Sequence, residues 1–224
     1  MKKVLLFDLD QTILNRNESL NKFLNWQINF MQLVPLKFKE SFIQRFIELD
    51  DNGRVWKDQV YSQLIQEFNI TNYSTDDLLN TYTQDFNKFS IAFDQAEQII
   101  KSLHLNGYIL GLISNGKSPF QEHNFYALGL QEYFSILVVS EAIGLRKPEP
   151  EIFLYACQQL NCATTDCIFI GDNPTADITD AKNVGMHTIH FQPKKTECCV
   201  NADEHIQHYR ELEPAINRIE NLQL

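Results

Sequence analysis

The pattern that most constrains the fold lies between residues 94 and 191, where short apolar runs alternate with segments of helical periodicity. An apolar run of roughly 4 to 8 residues bounded by polar turns is typical of a strand buried on both faces. Strands that alternate with helices form a parallel sheet covered on both sides. We therefore predict an α/β protein with a doubly wound, Rossmann-like parallel sheet, and its predicted strands in this part are YILGLI, FSILVVS, CIFIGDN and HTIHF.

A further strand is predicted near the N-terminus, in the stretch VLLFDLDQTIL, and it ends in two acids, Asp8 and Asp10. Alternate residues of a strand point to the same side, so these carboxylates repel each other unless a positive charge lies between them. Ser114 and Asp172 also follow apolar runs. Because ligands of open α/β sheets bind at the carboxyl edge of the strands, these residues predict one shared crevice that holds a cation.

Residues 15–90 differ from the rest of the chain in composition and in the spacing of their apolar residues. They contain one glycine, Gly53, and one proline, Pro35, and their apolar residues recur at helical spacing. We predict an all-helical insert over 15–90, divided by a turn at DDNGR, and an α/β core formed by 1–14 and 91–224. Because the insert begins directly after the first strand, we expect it to form a cap above the crevice.

Charge and hydropathy exclude several classes of partner. The net charge is −10 without a clustered run of Lys and Arg, which argues against a nucleic-acid polymer. No apolar stretch reaches the roughly 18 residues that a membrane span needs, and VLLF is shorter than the roughly 7 to 15 residues of a signal-peptide core. We expect a cytoplasmic protein without a membrane partner.

The cysteines indicate no metal site or disulfide framework. There are five of them, and no two have the CxxC spacing typical of zinc or redox sites. We expect buried or surface thiols in a reducing compartment. They are Cys157, Cys162, Cys167, Cys198 and Cys199.

Four segments, taken in order, resemble the motifs of the haloacid dehalogenase-like (HAD) hydrolase superfamily. FDLDQT is similar to its first motif, DxDxT, and LISNG to the second, in which a strand ends in Ser or Thr. GLRKPEPEIF is similar to the third, which supplies a lysine, and GDNPTAD to the fourth, which supplies two acids. The helical insert resembles the type 1 (C1) cap of that superfamily. Each motif alone is short enough to occur by chance, whereas their joint order across nearly the whole chain is specific.

The resemblance implies an Mg²⁺-dependent phosphatase that hydrolyses a phosphomonoester through an aspartyl-phosphate. Such an ester repels nucleophiles, so its anionic oxygens must be neutralised. By this resemblance Asp8 would be the nucleophile, while Asp10 would protonate the leaving oxygen and then activate water. The metal would be held by the side chains of Asp8 and Asp172 and by the backbone carbonyl of Asp10.

The resemblance also assigns roles to five further residues. Ser114 and Asn115, with the backbone N–H groups of their turn, would bind a phosphoryl oxygen, and Lys147 would add positive charge there. Thr12 would fix the first loop by hydrogen bonding. Asp177 would orient the groups around the metal or hold it through water.

The expected substrate is a small phosphorylated metabolite, with a nucleotide or sugar phosphate favoured by the likeness of GDNPTADI and VWKDQVYSQL to phosphatases of that group. Five residues of the insert are candidates for contacting it, by charge or by stacking. An aromatic residue at helical spacing is more often part of a core. The candidates are Arg45, Arg54, Trp56, Lys57 and Tyr61. We expect a monomer or a homodimer.

Several other functions share part of this residue pattern. The dehalogenases of the family lack the second aspartate of the first motif, so Asp10 favours phosphoryl transfer. A phosphomutase with the same aspartate chemistry stays open, as does a non-catalytic regulatory protein that binds a phosphate ligand on this scaffold. A receiver-like phosphoacceptor would carry its aspartate on a later strand and have no insert.

Overall fold

The computed structural model describes residues 3–193 and 201–221. Its six-stranded sheet is parallel and has the order β3-β2-β1-β4-β5-β6, which confirms the predicted doubly wound α/β fold. The three-residue β6 follows HTIHF, which the sequence indicated as the last clear strand. The strands are β1 (Val4–Phe7), β2 (Ile109–Ser114), β3 (Phe134–Val139), β4 (Cys167–Gly171), β5 (His187–Phe191) and β6 (Glu204–Ile206).

The strand order reverses between β1 and β4, which are neighbours in the sheet. Open α/β sheets bind ligands at such a switch point, outside the carboxyl ends of the strands. The backbone N–H of Asp8, just beyond β1, donates to the carbonyl of Ile170 in β4 at 2.9 Å. This bond fixes the end of β1 against the strand that leads to Asp172.

The pattern of TADITDAKNVG after the fourth strand predicts a single helix that ends at Gly185. The structure instead has a π-helical turn over Pro174–Thr179, followed by the short helix Asp180–Asn183. The cause is Asn173, whose carbonyl accepts from the N–H groups of both Asp177 and Ile178. The helices are α1 (Arg16–Met31), α2 (Lys39–Asp50), α3 (Lys57–Glu67), α4 (Thr75–Asp85), α5 (Ala96–Leu105), α6 (Phe120–Tyr126), α7 (Ser140–Ile143), α8 (Pro150–Leu160), α9 (Asp180–Asn183) and α10 (Leu212–Asn221).

The main core lies between the sheet and α8. Phe153 of α8 packs edge-on against Phe169 of β4, with ring centroids 5.3 Å apart. Val4 and Leu6 of β1 and Ile113 of β2 belong to the same buried cluster. This packing holds β1, β2 and β4 in place, and these strands lead to the predicted site residues.

The chain divides into two compact units. The sheet unit comprises Met1–Arg16 and Ser90–Leu224, and the helical unit comprises Asn17–Phe89. The turn predicted at DDNGR is confirmed, because a 3-10 turn over Asp51–Gly53 separates α2 from α3. Within the described residues, no helix combines the length and apolar character needed to cross a membrane.

Candidate active site

Lys147 is the centre of a buried charged cluster in the sheet unit. Its Nζ donates to Oδ1 of Asp8 and to Oδ1 of Asp177, both at 2.6 Å. The exposed fractions of Asp8, Lys147 and Asp177 are 7%, 3% and 1%. Asp172 lies beside them, and one carboxylate oxygen from each of the three acids can be found within 4.8 Å of the others. The structure thus brings together residues of the first, third and fourth motifs.

The cluster has more negative than positive charge. Burial raises the pKa of Asp8 to about 7, although Lys147 opposes the shift and Asp177 adds to it. Burial also raises the pKa of Asp172, and the charges of Asp177 and Asp8 raise it further. Burial alone would lower the pKa of Lys147, but the two acids that contact it outweigh this effect and raise the pKa. Three carboxylates therefore share one ammonium group, and the site favours binding of a further cation.

The donor set fits a hard divalent cation. The three acids supply only oxygen atoms, which are the ligands that Mg²⁺ prefers in proteins. A divalent ion would balance the charge that Lys147 leaves uncompensated. The predicted metal side chains, Asp8 and Asp172, are both in this group, and Asp177 joins them although we expected it to act from a more distant position.

Gly171, the last residue of β4, makes room for Asp177. A Cβ atom at Gly171 would lie 2.5 Å from the Cβ of Asp177 and 2.6 Å from its Cγ. The backbone N–H of Asn173 donates to Oδ2 of Asp177 at 3.0 Å. This bond and the one from Lys147 fix both oxygens of the buried carboxylate.

Asp10 is oriented by Gln121, a residue of α6 that the sequence analysis did not single out. The Gln121 Nε2 atom lies 2.9 Å from Oδ2 of Asp10 and 2.9 Å from Oγ of Ser114. Gln121 is only 3% exposed. Its amide therefore links the predicted general acid to the predicted phosphate-binding hydroxyl. No local pattern marks this glutamine, because it reaches the site from a helix outside the four motifs.

Asn115 holds the third motif in place. Its Nδ2 donates to the carbonyl of Lys147 at 2.8 Å, and its Oδ1 accepts from the N–H of Lys147 at 2.9 Å. These reciprocal bonds fix the backbone from which the lysine reaches Asp8. Since the Asn115 side chain is used in this way, any contact of Asn115 with phosphate falls to its backbone N–H.

Two buried side chains from the C-terminal part of the chain support the site loops. The Tyr209 hydroxyl donates to the carbonyl of Thr12 at 2.9 Å. The His190 Nε2 lies 2.8 Å from the carbonyl of Asp172, and we assign the proton to that nitrogen because a carbonyl can only accept. The Thr12 hydroxyl is buried and has no hydrogen-bond partner among the described residues, so Thr12 holds the loop through its backbone.

The five candidates in the helical unit have different surroundings. Lys57 is buried in an ion pair with Asp50, and the buried Tyr61 hydroxyl donates to Gln27, so both belong to the interior of the unit. The guanidinium of Arg45 binds Glu67 and Glu48. Trp56 is half-buried, and the side chain of Arg54 is 69% exposed.

Comparison of sequences places these observations among known proteins. The family model described as haloacid dehalogenase-like hydrolase matches residues 5–191. A glyceraldehyde 3-phosphate phosphatase of Pyrococcus abyssi is 33% identical over 97 residues, which are 43% of this chain and 41% of the relative. A phosphoglycolate phosphatase of Colwellia psychrerythraea is 25% identical over 193 residues, covering 84% of this chain and 83% of the relative. The chain thus spans only about two fifths of the archaeal relative's length.

Solved structures with the same fold include a phosphatase from Thermococcus onnurineus, at a TM-score of 0.65 and 23% identity over 96% of this chain and 97% of that chain, as well as a dehalogenase. The Bacillus subtilis protein YfnB, bound to magnesium, matches with a TM-score of 0.78 at 24% identity, covering 96% of this chain and 99% of that chain. A 2-haloacid dehalogenase from Pseudomonas syringae matches with a TM-score of 0.62 at 22% identity, covering 98% of this chain and 100% of that chain. Fold alone therefore does not distinguish phosphatase from dehalogenase, and the choice rests on the residues of the site.

Proposed function

Because the chain belongs to the haloacid dehalogenase-like hydrolase family, we propose that it is an Mg²⁺-dependent phosphatase that hydrolyses a small phosphomonoester through an aspartyl-phosphate. The observation that carries the proposal is the buried cluster in which Lys147 Nζ lies 2.6 Å from both Asp8 and Asp177, with Asp172 beside them. A buried ammonium group beside three carboxylates leaves negative charge uncompensated, which favours binding of a cation more than it favours stability. An anionic substrate would then bind to that cation.

In the proposed mechanism, a carboxylate oxygen of Asp8 attacks phosphorus, and the bond from phosphorus to the leaving oxygen breaks as the new bond forms. Asp10 donates its proton to that leaving oxygen. Asp10 then takes a proton from water, the water oxygen attacks phosphorus, and the bond to Asp8 breaks to release phosphate. The Gln121 amide, 2.9 Å from Oδ2 of Asp10, orients the carboxyl group for both transfers.

The residues that would hold Mg²⁺ are Asp8 and Asp172 through their side chains and Asp10 through its backbone carbonyl, with Asp177 as a further oxygen donor. When bound, the ion neutralises phosphoryl oxygens and shields the nucleophile from the anion it attacks. His190 keeps the Asp172 segment in place by donating to its carbonyl at 2.8 Å.

Phosphoryl binding falls to Ser114, the N–H groups of its turn, Asn115 among them, and Lys147. Preorganised donors of this kind stabilise charge that develops in the transition state, because they need no reorganisation when the reaction takes place. The reciprocal bonds between Asn115 and Lys147 provide that rigidity.

The substrate we propose is a small phosphorylated metabolite, with nucleotide and sugar phosphates as the first candidates. Named relatives act on glyceraldehyde 3-phosphate and phosphoglycolate, which are compounds of this size. We propose that the helical unit acts as a cap that selects the substrate. We also propose a cytoplasmic monomer or homodimer without a nucleic-acid or membrane partner, and the net charge of −10 supports the first of these exclusions.

The test is phosphate release from p-nitrophenyl phosphate, with Mg²⁺ and with EDTA, by the wild type and by Asp8→Asn. We expect turnover that requires Mg²⁺ and that Asp8→Asn abolishes, since the amide cannot form the acyl phosphate. Turnover that survives in Asp8→Asn would refute the mechanism. A panel of phosphometabolites then identifies the substrate class.

The same panel distinguishes the alternatives. A phosphomutase would convert a sugar phosphate into its isomer with little release of inorganic phosphate. If the folded wild type binds Mg²⁺ and phosphate but turns over no compound in the panel, a regulatory binding role is indicated.

A further inference from the structure

Three cysteine sulfurs cluster around that of Cys167 at a place that the proposed phosphatase mechanism does not use. Cys157 belongs to α8, Cys162 follows that helix, and Cys167 begins β4. The Sγ of Cys167 is 3.7 Å from that of Cys157 and 3.6 Å from that of Cys162. All three sulfurs lie within 4.8 Å of one another, so they are close enough to bind the same metal ion.

These distances are those of thiolates around one tetrahedral ion. A Zn–S bond of about 2.3 Å and tetrahedral angles place neighbouring sulfurs about 3.8 Å apart. The sequence has no CxxC pair that would indicate this cluster. The three cysteines come from a helix, a loop and a strand, and only the fold brings them together. Cys198 and Cys199, which the sequence analysis also considered, lie outside the described residues.

The surroundings of the cluster also suit an ion. Cys157 and Cys167 are buried, whereas Cys162 is half-buried and gives access from solvent. The carbonyl oxygen of Ala163 lies 3.4 Å from the Cys167 sulfur, so either this oxygen or a water can supply a fourth ligand. We propose that Cys157, Cys162 and Cys167 form a binding site for a thiophilic divalent ion, Zn²⁺ by its chemistry.

This site would have a structural role. Asp172 directly follows β4 and is five residues from Cys167 at the start of that strand, a separation of about 16 Å at 3.3 Å per residue. The ion would join the end of α8 to the start of β4, and its binding would release the thiol protons to solvent. Phosphate chemistry at the other end of the strand needs no contact with it.

The test uses the full chain, reduced and freed of metal, titrated with Co²⁺ and then with Zn²⁺. We expect Co²⁺ to produce the sulfur-to-metal charge-transfer band of thiolate coordination. Zn²⁺ should then displace the Co²⁺ and abolish the band, with one ion bound per chain. Cys162→Ser should lose this band, because it removes the accessible ligand while leaving the two buried cysteines. Its matched control is the double variant Cys198→Ser with Cys199→Ser, which should retain the band.

A second variant and a second measurement keep the result interpretable. Asp8→Asn should retain the charge-transfer band, which separates this site from carboxylate sites. In the wild type, Zn²⁺ should slow alkylation of Cys162, a measurement that does not depend on whether Cys162→Ser folds. Absence of the band in the reduced wild type, or a band that is lost only in the Cys198 and Cys199 double variant, would overturn the proposal.

Discussion

The close approach of Gly171 to Asp177 provides a sharp test of how the site is assembled. In Gly171→Ala the new methyl group would start 2.5 Å from the Cβ and from Oδ2 of Asp177. Carbon atoms in contact lie about 3.5–4.0 Å apart, so Asp177 must move by about 1 Å. That movement breaks the 2.6 Å bond from Asp177 to Lys147, and the lysine is the group that holds Asp8.

Two magnitudes follow from this displacement. Overpacking of a buried position costs about 1–3 kcal/mol of the free energy of unfolding. A misplacement of about 1 Å at a catalytic centre costs on the order of 100-fold in rate. We expect urea denaturation to show the first effect, and kcat for phosphate release at saturating Mg²⁺ to show the second.

The matched control is Gly111→Ala, in β2 of the same sheet. A Cβ at Gly111 would lie 2.8 Å from a Leu6 side-chain carbon and 2.9 Å from one of Ile136, so this substitution also overpacks the protein. These contacts are with apolar side chains of the core, so Gly111→Ala should lose stability but keep kcat. If Gly171→Ala retained wild-type kcat, or if Gly111→Ala lost as much kcat, the proposed chain of contacts through Asp177 would be wrong.

Three other substitutions test separate contacts. Gln121→Leu removes the amide that orients Asp10 and contacts Ser114, so we expect kcat to fall on the order of 10- to 100-fold with a smaller rise in KM, measured by steady-state kinetics. Tyr209→Phe leaves a buried carbonyl without its donor and should lower the free energy of unfolding by about 1–3 kcal/mol in urea denaturation. Burial alone would raise the pKa of Asp203, but the hydrogen bond from Lys182 and other favourable contacts outweigh it and lower the pKa. The ionised form is therefore favoured in the folded state, so Asp203→Asn should be less stable than the wild type at pH 7. This difference in the free energy of unfolding should shrink as the pH falls below the ordinary carboxyl pKa of about 4, and urea denaturation at pH 7 and pH 3 measures it.

The strands of the sheet and the polar residues that follow them were predictable because local patterns in the sequence mark both. Apolar runs of strand length mark buried parallel strands, and Asp8, Ser114 and Asp172 stand directly after three of them. Parallel strands end at a common edge, so these residues had to meet there. The three-residue β6 was missed because it is too short to show a period.

The supporting contacts of the site were not predictable in the same way. Gln121, His190 and Tyr209 reach the motif residues from elements outside the four motifs, and each of them does so by a single side chain. A lone glutamine, histidine or tyrosine creates no periodic or spacing signal. Its partner depends on how helices and strands pack, which is a property of the whole fold.

The energetics of the cluster connect its structure to its proposed chemistry. Burying Asp8, Asp177 and Lys147 together is costly, because each charge loses its hydration. The attraction between Lys147 and the two acids must offset that loss. Burial raises the pKa of Asp8 and of Asp172, and repulsion from Asp177 raises both further. A site selected for stability alone would have replaced one of these acids by an apolar or neutral residue. The retained surplus of negative charge makes sense if a cation completes the site during turnover, and the Mg²⁺ dependence of phosphate release tests that reasoning.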